Sequence, residues 1–212
     1  MEKLFAISES LRKGNSIETR HNVIAAINAG YTYKEILESM LEVMKVVGDQ
    51  FKKNELFIPE VLIVGRAFNI ALDVLAPLLK DEDHCVGTLV IGTVRGDLHN
   101  IGKNLVKIFM VGAGLNVIDL GVDVSPRAFV EAIKIHQPDF VAMSALLTTT
   151  MVQINQTIKE INEEGLRDQV KIIIGGAPIT SDFANNVGAD FYAPDAASAV
   201  DMVRNHIREK KQ

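Results

Sequence analysis

The sequence predicts an α/β protein: a four-helix bundle, then a five-stranded parallel sheet with helices on both faces. Three observations carry this. Over about the first 80 positions apolar residues recur at helical spacing. Beyond the polar stretch Lys80-Asp-Glu-Asp-His84, apolar runs of strand length alternate with helical segments, the pattern of a parallel sheet covered by helices. Glycine, hydroxyl residues and proline then concentrate at the ends of those runs, where the loops of such a sheet gather. The polar stretch is the expected boundary, giving domains 1–82 and 83–212.

In the first half, Glu2 to Lys13 reads as a helix with Leu4, Phe5, Ile7 and Leu11, stopped by Gly14-Asn15. Ser16 opens a second helix that carries Val23, Ile24 and Ile27 and ends at Ala29-Gly30. A third, from Tyr33 to about Lys53, places Ile36, Leu37, Met40, Leu41, Met44 and Val47 on one face. The fourth begins near Pro59, where a missing N–H costs little, and runs through Leu62, Val64, Phe68, Leu72 and Leu75. Four helices with short loops form a bundle.

In the second half the expected strands are Val86–Val94, Asn116–Leu120, Phe140–Ser144, Lys171–Gly175 and the short Phe191–Tyr192. The expected helices are about Ile101–Gly112, Pro126–His136, Met151–Glu164, Ile179–Asn186 and Ala196–Lys210. Cys85, at the start of the first strand, reads as inert core.

Composition excludes several classes. With 48% hydrophobic and 23% charged residues the chain is an ordinary globular one, able to bury a substantial core. A net charge of −5, with no basic stripe, argues against nucleic acid as a partner. No apolar run approaches membrane-spanning length, and the N-terminus lacks the apolar core of a signal peptide, so no membrane association is expected and the cytoplasm is the expected compartment. One cysteine allows neither an internal disulfide nor a cysteine-rich zinc site.

The loops after the strands carry the chemistry, because ligands of open α/β sheets bind at the carboxyl ends of the strands. The first loop holds Gly96-Asp97-Leu98-His99, a carboxylate two residues from an imidazole, which suits an oriented histidine. Taken alone, such a pair is more often a turn or cap hydrogen bond. Nucleotide fingerprints do not fit: Gly92, Gly96 and Gly102 miss the G-x-G-x-x-G spacing, and Gly96 to Gly102-Lys103 is one residue too long for a phosphate loop. Asp123, on the second loop, reads as a loop cap. His21, His84, His136 and His206 are scattered, without metal-ligand spacing.

The later loops raise the standing of the first. Asp97-x-His99-x-x-Gly102, then 41 residues, Ser144-x-Leu146, then 28 residues, Gly175-Gly176 resembles the cobalamin-binding motif of corrinoid methyltransferase domains and carbon-skeleton mutases. Met44-Lys-Val-Val-Gly48-Asp-Gln-Phe51 and Glu55-Leu-Phe-Ile58-Pro59-Glu-Val61 resemble the helical cap of cobalamin-dependent methionine synthase. They resemble equally the corrinoid proteins of methanol, methylamine and quaternary-amine methyltransferase systems. The mutases lack this bundle, so the methyl-transfer branch is favoured.

That resemblance implies a flavodoxin-like (Rossmann-like) second domain binding cobalamin or a related corrinoid, base-off. His99 would be the lower axial cobalt ligand, and Asp97 would accept a hydrogen bond from its other ring nitrogen. Thr150 stands where methionine synthase has the serine that extends the pair; it keeps the hydroxyl. Ser144 and Leu146 would line a slot for the displaced benzimidazole, and Gly175 and Gly176 would leave space for the nucleotide tail. Gly96, Leu98, Asn100, Ile101, Gly102, Thr148, Ala177 and Tyr192 are further implied cofactor contacts. Phe51, Ile58 and Val61 would shield the upper face.

The implied function is a methyl carrier: cobalt(I) accepts a methyl group from a donor-specific methyltransferase, and methyl-cobalt(III) yields it to an acceptor methyltransferase serving a folate-type pterin or a thiol. A reductive activation protein is a further implied partner. The chain would not be catalytic alone. A cobalamin-sensing regulator or a mutase small subunit are the alternatives. The donor is not legible: methanol, a methylamine, a betaine and an aryl methyl ether all remain open.

Overall fold

A computed structural model describes residues 2–78 and 85–210 of the chain. Local signals set the helix ends. In α1 (Glu2–Arg12), Ile7 and Leu11 are buried. Asn15 caps α2 (Ser16–Asn28) by accepting from the Glu18 amide at 3.2 Å. Thr32 and Glu35 form a capping box on α3 (Tyr33–Lys52): the Glu35 amide donates to Thr32 Oγ1 at 3.3 Å and the Thr32 amide to Glu35 Oε2 at 2.8 Å. The predicted stripe of α3 supplies buried Ile36, Leu37, Met40, Met44 and Val47. In α4 (Ile58–Leu75), Pro59 occupies the first turn. The first helix packs on α2 and α3, and α4 packs on α2 and α3.

Chain contacts divide the molecule into Met1–His84 and Cys85–Gln212. The expected boundary, Lys80–His84, lies outside the described residues.

The second unit alternates β1 (Thr88–Thr93), α5 (Ile101–Gly112), β2 (Asn116–Asp119), α6 (Pro126–His136), β3 (Phe140–Ser144), α7 (Met151–Glu163), β4 (Lys171–Gly175), α8 (Ser181–Val187), β5 (Phe191–Ala193) and α9 (Ala196–Lys210). All neighbours pair in parallel, in the order β2-β1-β3-β4-β5. This is the flavodoxin-type order, whose switch point lies between β1 and β3. The continuous apolar runs of β1, β3 and β4 are buried, as strands covered on both faces must be. One core cluster joins Val90, Val141, Ile172 and Ile174 of the sheet to Phe129 and Ile133 of α6 and to Ile154, Ile158 and Ile161 of α7.

Register places the site. Thr93 pairs with Ser144, Ser144 with Gly175, and Gly175 with Ala193. The carboxyl ends of four strands therefore finish in one row, and the loops that follow share one edge.

Three expectations are corrected. Cys85 lies before the first strand, which starts at Thr88; the thiol is exposed and donates to the Gly87 carbonyl at 2.9 Å. The helix expected from Ile179 starts at Ser181, because Thr180 caps it by accepting from the Phe183 amide at 3.2 Å. Ile179 is instead buried in the preceding turn.

Candidate corrinoid site

The strand β1 ends at Thr93, and Val94 bonds onward, its amide donating to the Ser144 carbonyl at 3.0 Å. The chain then turns at Gly96, whose φ of +78° suits a residue without a side chain. Asp97 follows, fully buried, and His99 stands two residues on with a half-exposed ring.

Asp97 collects five donors. Its Oδ1 accepts from the His99 amide at 3.0 Å and faces His99 Nδ1 at 2.8 Å. Its Oδ2 accepts from the Leu146 amide at 2.7 Å, the Leu147 amide at 3.2 Å and Thr150 Oγ1 at 2.9 Å. Burial alone would raise the carboxyl pKa; the bonds from the Leu146 amide, the His99 amide and ring, and Thr150 overcome it and hold the group well below the usual carboxylate range. Asp97 is therefore an anion at neutral pH. An anionic acceptor at Nδ1 fixes the proton there and leaves the lone pair on Nε2. Nε2 has no hydrogen-bond partner among the described residues.

The turn and the neighbouring loop expose apolar side chains. Leu98 is 70% exposed and Ile101 61%, on either side of His99 in the chain; Leu146 and Leu147, tied to Asp97 by their amides, are exposed as well. Exposed aliphatic side chains on the two loops that hold the imidazole and its carboxylate suit a mostly apolar ligand and would be costly to leave bare. Among the described residues no group of three or more His, Cys, Asp or Glu could hold a metal ion, so the donor set here is that single nitrogen.

The other predicted residues fall as follows. Ser144 is half-buried at the end of β3, and its hydroxyl has no partner among the described residues. Thr148 is exposed in a 3-10 turn, Thr148–Thr150, that leads into α7. Gly96, Asn100, Gly102 and Ala177 are exposed and Tyr192 is half-buried. A Cβ on Gly176, at φ +133°, would meet the Ala145 carbonyl oxygen at 1.9 Å, and one on Gly175 the Ala193 carbonyl oxygen at 2.8 Å. The two glycines thus allow the ends of β3, β4 and β5 to approach each other, and it is the chain's own carbonyls that fill the space. In the helical unit Val61 is buried, Phe51 half-buried and Ile58 exposed at the start of α4.

Sequence reasoning missed four features. Leu147 contributes an amide to Asp97 and an exposed side chain; the Leu-Leu pair on a loop was the available signal. Thr93, fully buried, donates its hydroxyl to the His99 carbonyl at 2.9 Å, for which no sequence signal existed. Lys103, also buried, pairs with Asp119 at 2.7 Å. Phe57, beside Ile58, is 65% exposed.

Comparisons with known proteins show the family. Two family models match, each described as a B12 binding domain, over residues 87–201 and 4–76. Trimethylamine corrinoid protein 1 of Methanosarcina acetivorans is 43% identical over 183 residues, 84% of this chain and 85% of its own. The dimethylamine corrinoid protein of Methanosarcina barkeri is 40% identical over 169 residues, 78% of this chain and 79% of its own. Among solved structures, a methanol:cobalamin methyltransferase complex from Methanosarcina barkeri aligns over 98% of this chain and 80% of its own, with a TM-score of 0.86 at 26% identity. A cobalamin-binding protein from Desulfitobacterium hafniense aligns over 95% of this chain and 97% of its own, with a TM-score of 0.76 at 29% identity.

Proposed function

The chain belongs to the B12-binding domain family, and from that premise we propose that it is the corrinoid methyl carrier of a methyltransferase system. The observation that carries this is the His99 imidazole, its Nδ1 held on the buried Asp97 carboxylate and its Nε2 without a hydrogen-bond partner among the described residues, on loops that also expose Leu98, Ile101, Leu146 and Leu147. When bound, the corrinoid supplies a cobalt centre that carries a methyl group between two partner enzymes.

The chain's own residues do the rest. His99 would hold the cobalt through Nε2. Asp97 fixes the tautomer that leaves that nitrogen free to bind. The Thr150 hydroxyl donates to the same carboxylate at 2.9 Å and helps to fix it. Ser144, with its unpartnered hydroxyl, and Leu146 receive the displaced base; Gly96, Asn100, Ile101, Gly102, Thr148, Gly175, Gly176, Ala177 and Tyr192 form the surrounding wall.

The partners are methyltransferases. A methylamine-specific enzyme is the donor partner that the most similar relatives support; a second methyltransferase with a pterin or thiol acceptor, and a reductive activation protein, complete the system. The chain is not catalytic by itself. The cytoplasm is its place in this reading: among the described residues no helix is long and apolar enough to cross a membrane. The regulatory and mutase alternatives find no support among the relatives named above.

The test is direct. Protein loaded with a corrinoid should show a nitrogen-ligated cobalt spectrum that His99→Ala abolishes, and a methylamine plus its methyltransferase should load the methyl group. An unchanged spectrum in His99→Ala would sink the ligand assignment. Failure to accept a methyl group from every donor system tried would sink the carrier assignment.

A further inference from the structure

We infer that Asp123, on the loop after β2, is a positioning residue for His99, acting from the neighbouring loop through the peptides that flank Gly96 and Asp97. The inference rests on His99 as the axial ligand.

Asp123 looks at first like a loop cap. A capping Asp bonds to amides two or three residues ahead of it. Asp123 does not: its Oδ1 accepts from the Gly96 amide at 2.7 Å, 27 positions away in the chain. Its own amide donates to the Asp97 carbonyl at 3.0 Å. One residue thus holds both outward-facing groups of the Gly96–Asp97 segment.

The backbone of Asp123 is bent to do so. Its φ is +54°, in the left-handed region that a residue with a side chain rarely adopts. The two other described non-glycine residues with positive φ are Asn54, just past α3, and Gln137, the C-cap of α6. Those close helices; Asp123 closes none. A conformation of this kind persists only where the surroundings over-determine it, and such positions cluster at functional sites. Here the surroundings are the amides of Thr93 and Val124, which donate to the Gly121 and Thr93 carbonyls at 3.0 and 2.9 Å, and the Val94–Val124 bridge.

The end of β2 grips the turn at its far end. Asp119, the last residue of that strand, accepts from buried Lys103 at 2.7 Å, in the first turn of α5, and from the Gly121 amide at 3.0 Å. The segment from Gly96 to Lys103, with His99 between, is therefore clamped before and after by residues at the end of β2 and on the loop that follows it. The peptide after Gly96 is tied down, since the Asp97 amide donates to the Val94 carbonyl at 3.1 Å; the Arg95–Gly96 peptide before it, next to a residue at φ +78° without a side chain, is free to turn unless the Gly96 amide is held. If it turns, the Asp97 side chain and the His99 ring it orients turn with it. The bonds from Leu146, Leu147 and Thr150 remain, so loss of Asp123 should loosen His99 rather than release it.

Three variants test this. Asp123→Gly keeps the left-handed backbone and removes the acceptor. Asp123→Ala removes the acceptor as well and is read in the same way should the glycine variant not fold. Asp123→Asn keeps an oxygen at the same place and tolerates the conformation. The readouts are the ratio of nitrogen-ligated to unligated cobalt in the corrinoid-loaded protein, from the nitrogen splitting in the electron paramagnetic resonance of its cobalt(II) form, and the hydrogen-exchange rate of the Gly96 amide in the free protein. In the glycine or alanine variant the ratio should fall about threefold to tenfold, less than the 10–100-fold typical when a direct partner of a metal ligand is removed. The Gly96 amide should exchange faster. Asp123→Asn should stay near the parent in both. A glycine or alanine variant with a faster Gly96 amide and an unchanged ratio overturns the inference, as does an equal loss in Asp123→Asn. Absence of nitrogen splitting in the parent protein, by contrast, strikes at the ligand assignment itself.

Discussion

Replacing Asp97 by Asn tests the centre of the site without changing its size. All five partners of the carboxylate are donors, and they are divided two to one oxygen and three to the other. An amide has one acceptor end. If its oxygen stays on the His99 side, its NH2 faces the Leu146 and Leu147 amides at what were 2.7 and 3.2 Å. Thr150 can adapt, because its hydroxyl already has a second acceptor, the Leu147 carbonyl at 2.9 Å. The two backbone amides cannot. If the amide is flipped, the His99 amide is orphaned and Nδ1 must accept, which moves the ring proton to Nε2 and removes the ligating lone pair. Each part-buried donor left unpaired costs about 1–2 kcal/mol, and the lost charge on the remaining bonds adds a similar amount. The total is about 3 kcal/mol, or roughly 10 °C in melting temperature for a domain of this size. Thermal unfolding of the cofactor-free protein, followed by circular dichroism, measures it; the cobalt spectrum of the loaded protein reports the tautomer. A melting temperature within about 1 °C of the parent, with an unchanged spectrum, would refute both the bonding scheme and the role drawn from it.

Other outcomes follow from the same coordinates. His99→Ala should lower the melting temperature of the free protein by only a few degrees, since it removes about 1 kcal/mol, one of five donors to the Asp97 carboxylate, yet lower corrinoid affinity tenfold or more in a binding titration. Gly176→Ala should destabilise by more than about 3 kcal/mol in urea unfolding, because its Cβ would lie 1.9 Å from the Ala145 oxygen and its φ is +133°. Asp119→Ala should cost about 3–5 kcal/mol by leaving the Lys103 ammonium buried without its carboxylate, while Lys103→Met should cost less, since Asp119 keeps Lys107 at 3.2 Å and the Gly121 amide. For Asp119, as for Asp97, burial opposes ionisation but is outweighed, here by Lys103, the Gly121 amide and Lys107, so both carboxyl pKa values are lowered in the fold. Their stabilisation is present above the unfolded carboxylate value near pH 3.9 and is lost as the pH falls from there through the folded values. An acid titration of Asp97→Asn combined with Asp119→Asn should therefore be flatter below about pH 4 than that of the parent.

The fold was legible because its signals are local. Periodicity located the four helices, continuous apolar runs located the buried strands, and Thr32 and Ser125 sit at helix starts where a side-chain oxygen is wanted. The misplaced ends were decided by tertiary pairing: β1 starts only where a partner strand is present, at Thr88 opposite Asn116, which leaves Cys85 outside. The site was legible in part. Asp97 and His99 stood out as a carboxylate and an imidazole on one strand-to-helix turn; Ser144, Leu146 and Thr150 were legible only through the resemblance to the cobalamin-binding motif and to methionine synthase. Thr93, Lys103 and Asp123 did not stand out, since what each does depends on a partner that only the folded sheet brings near, and a hydroxyl, an amine or a carboxylate in a loop has many ordinary uses.

What the sheet order adds is the reason these loops can act together. The switch point between β1 and β3 leaves a crevice at the strand ends, because the helices following the two strands lie on opposite faces. Asp97 spans that crevice: one oxygen serves His99 on the β1 loop, the other serves Leu146, Leu147 and Thr150 on the β3 loop. On its other side the β1 loop is held by Asp119 at the end of β2 and by Asp123 on the loop that follows. His99 is thus braced from both neighbouring strands, although it sits on an exposed turn that on its own would be free to move. A methyl carrier needs such bracing. The open side of the ring is where the corrinoid would lie, so the constraint that keeps Nε2 in place has to come from below, and the buried carboxylate supplies it.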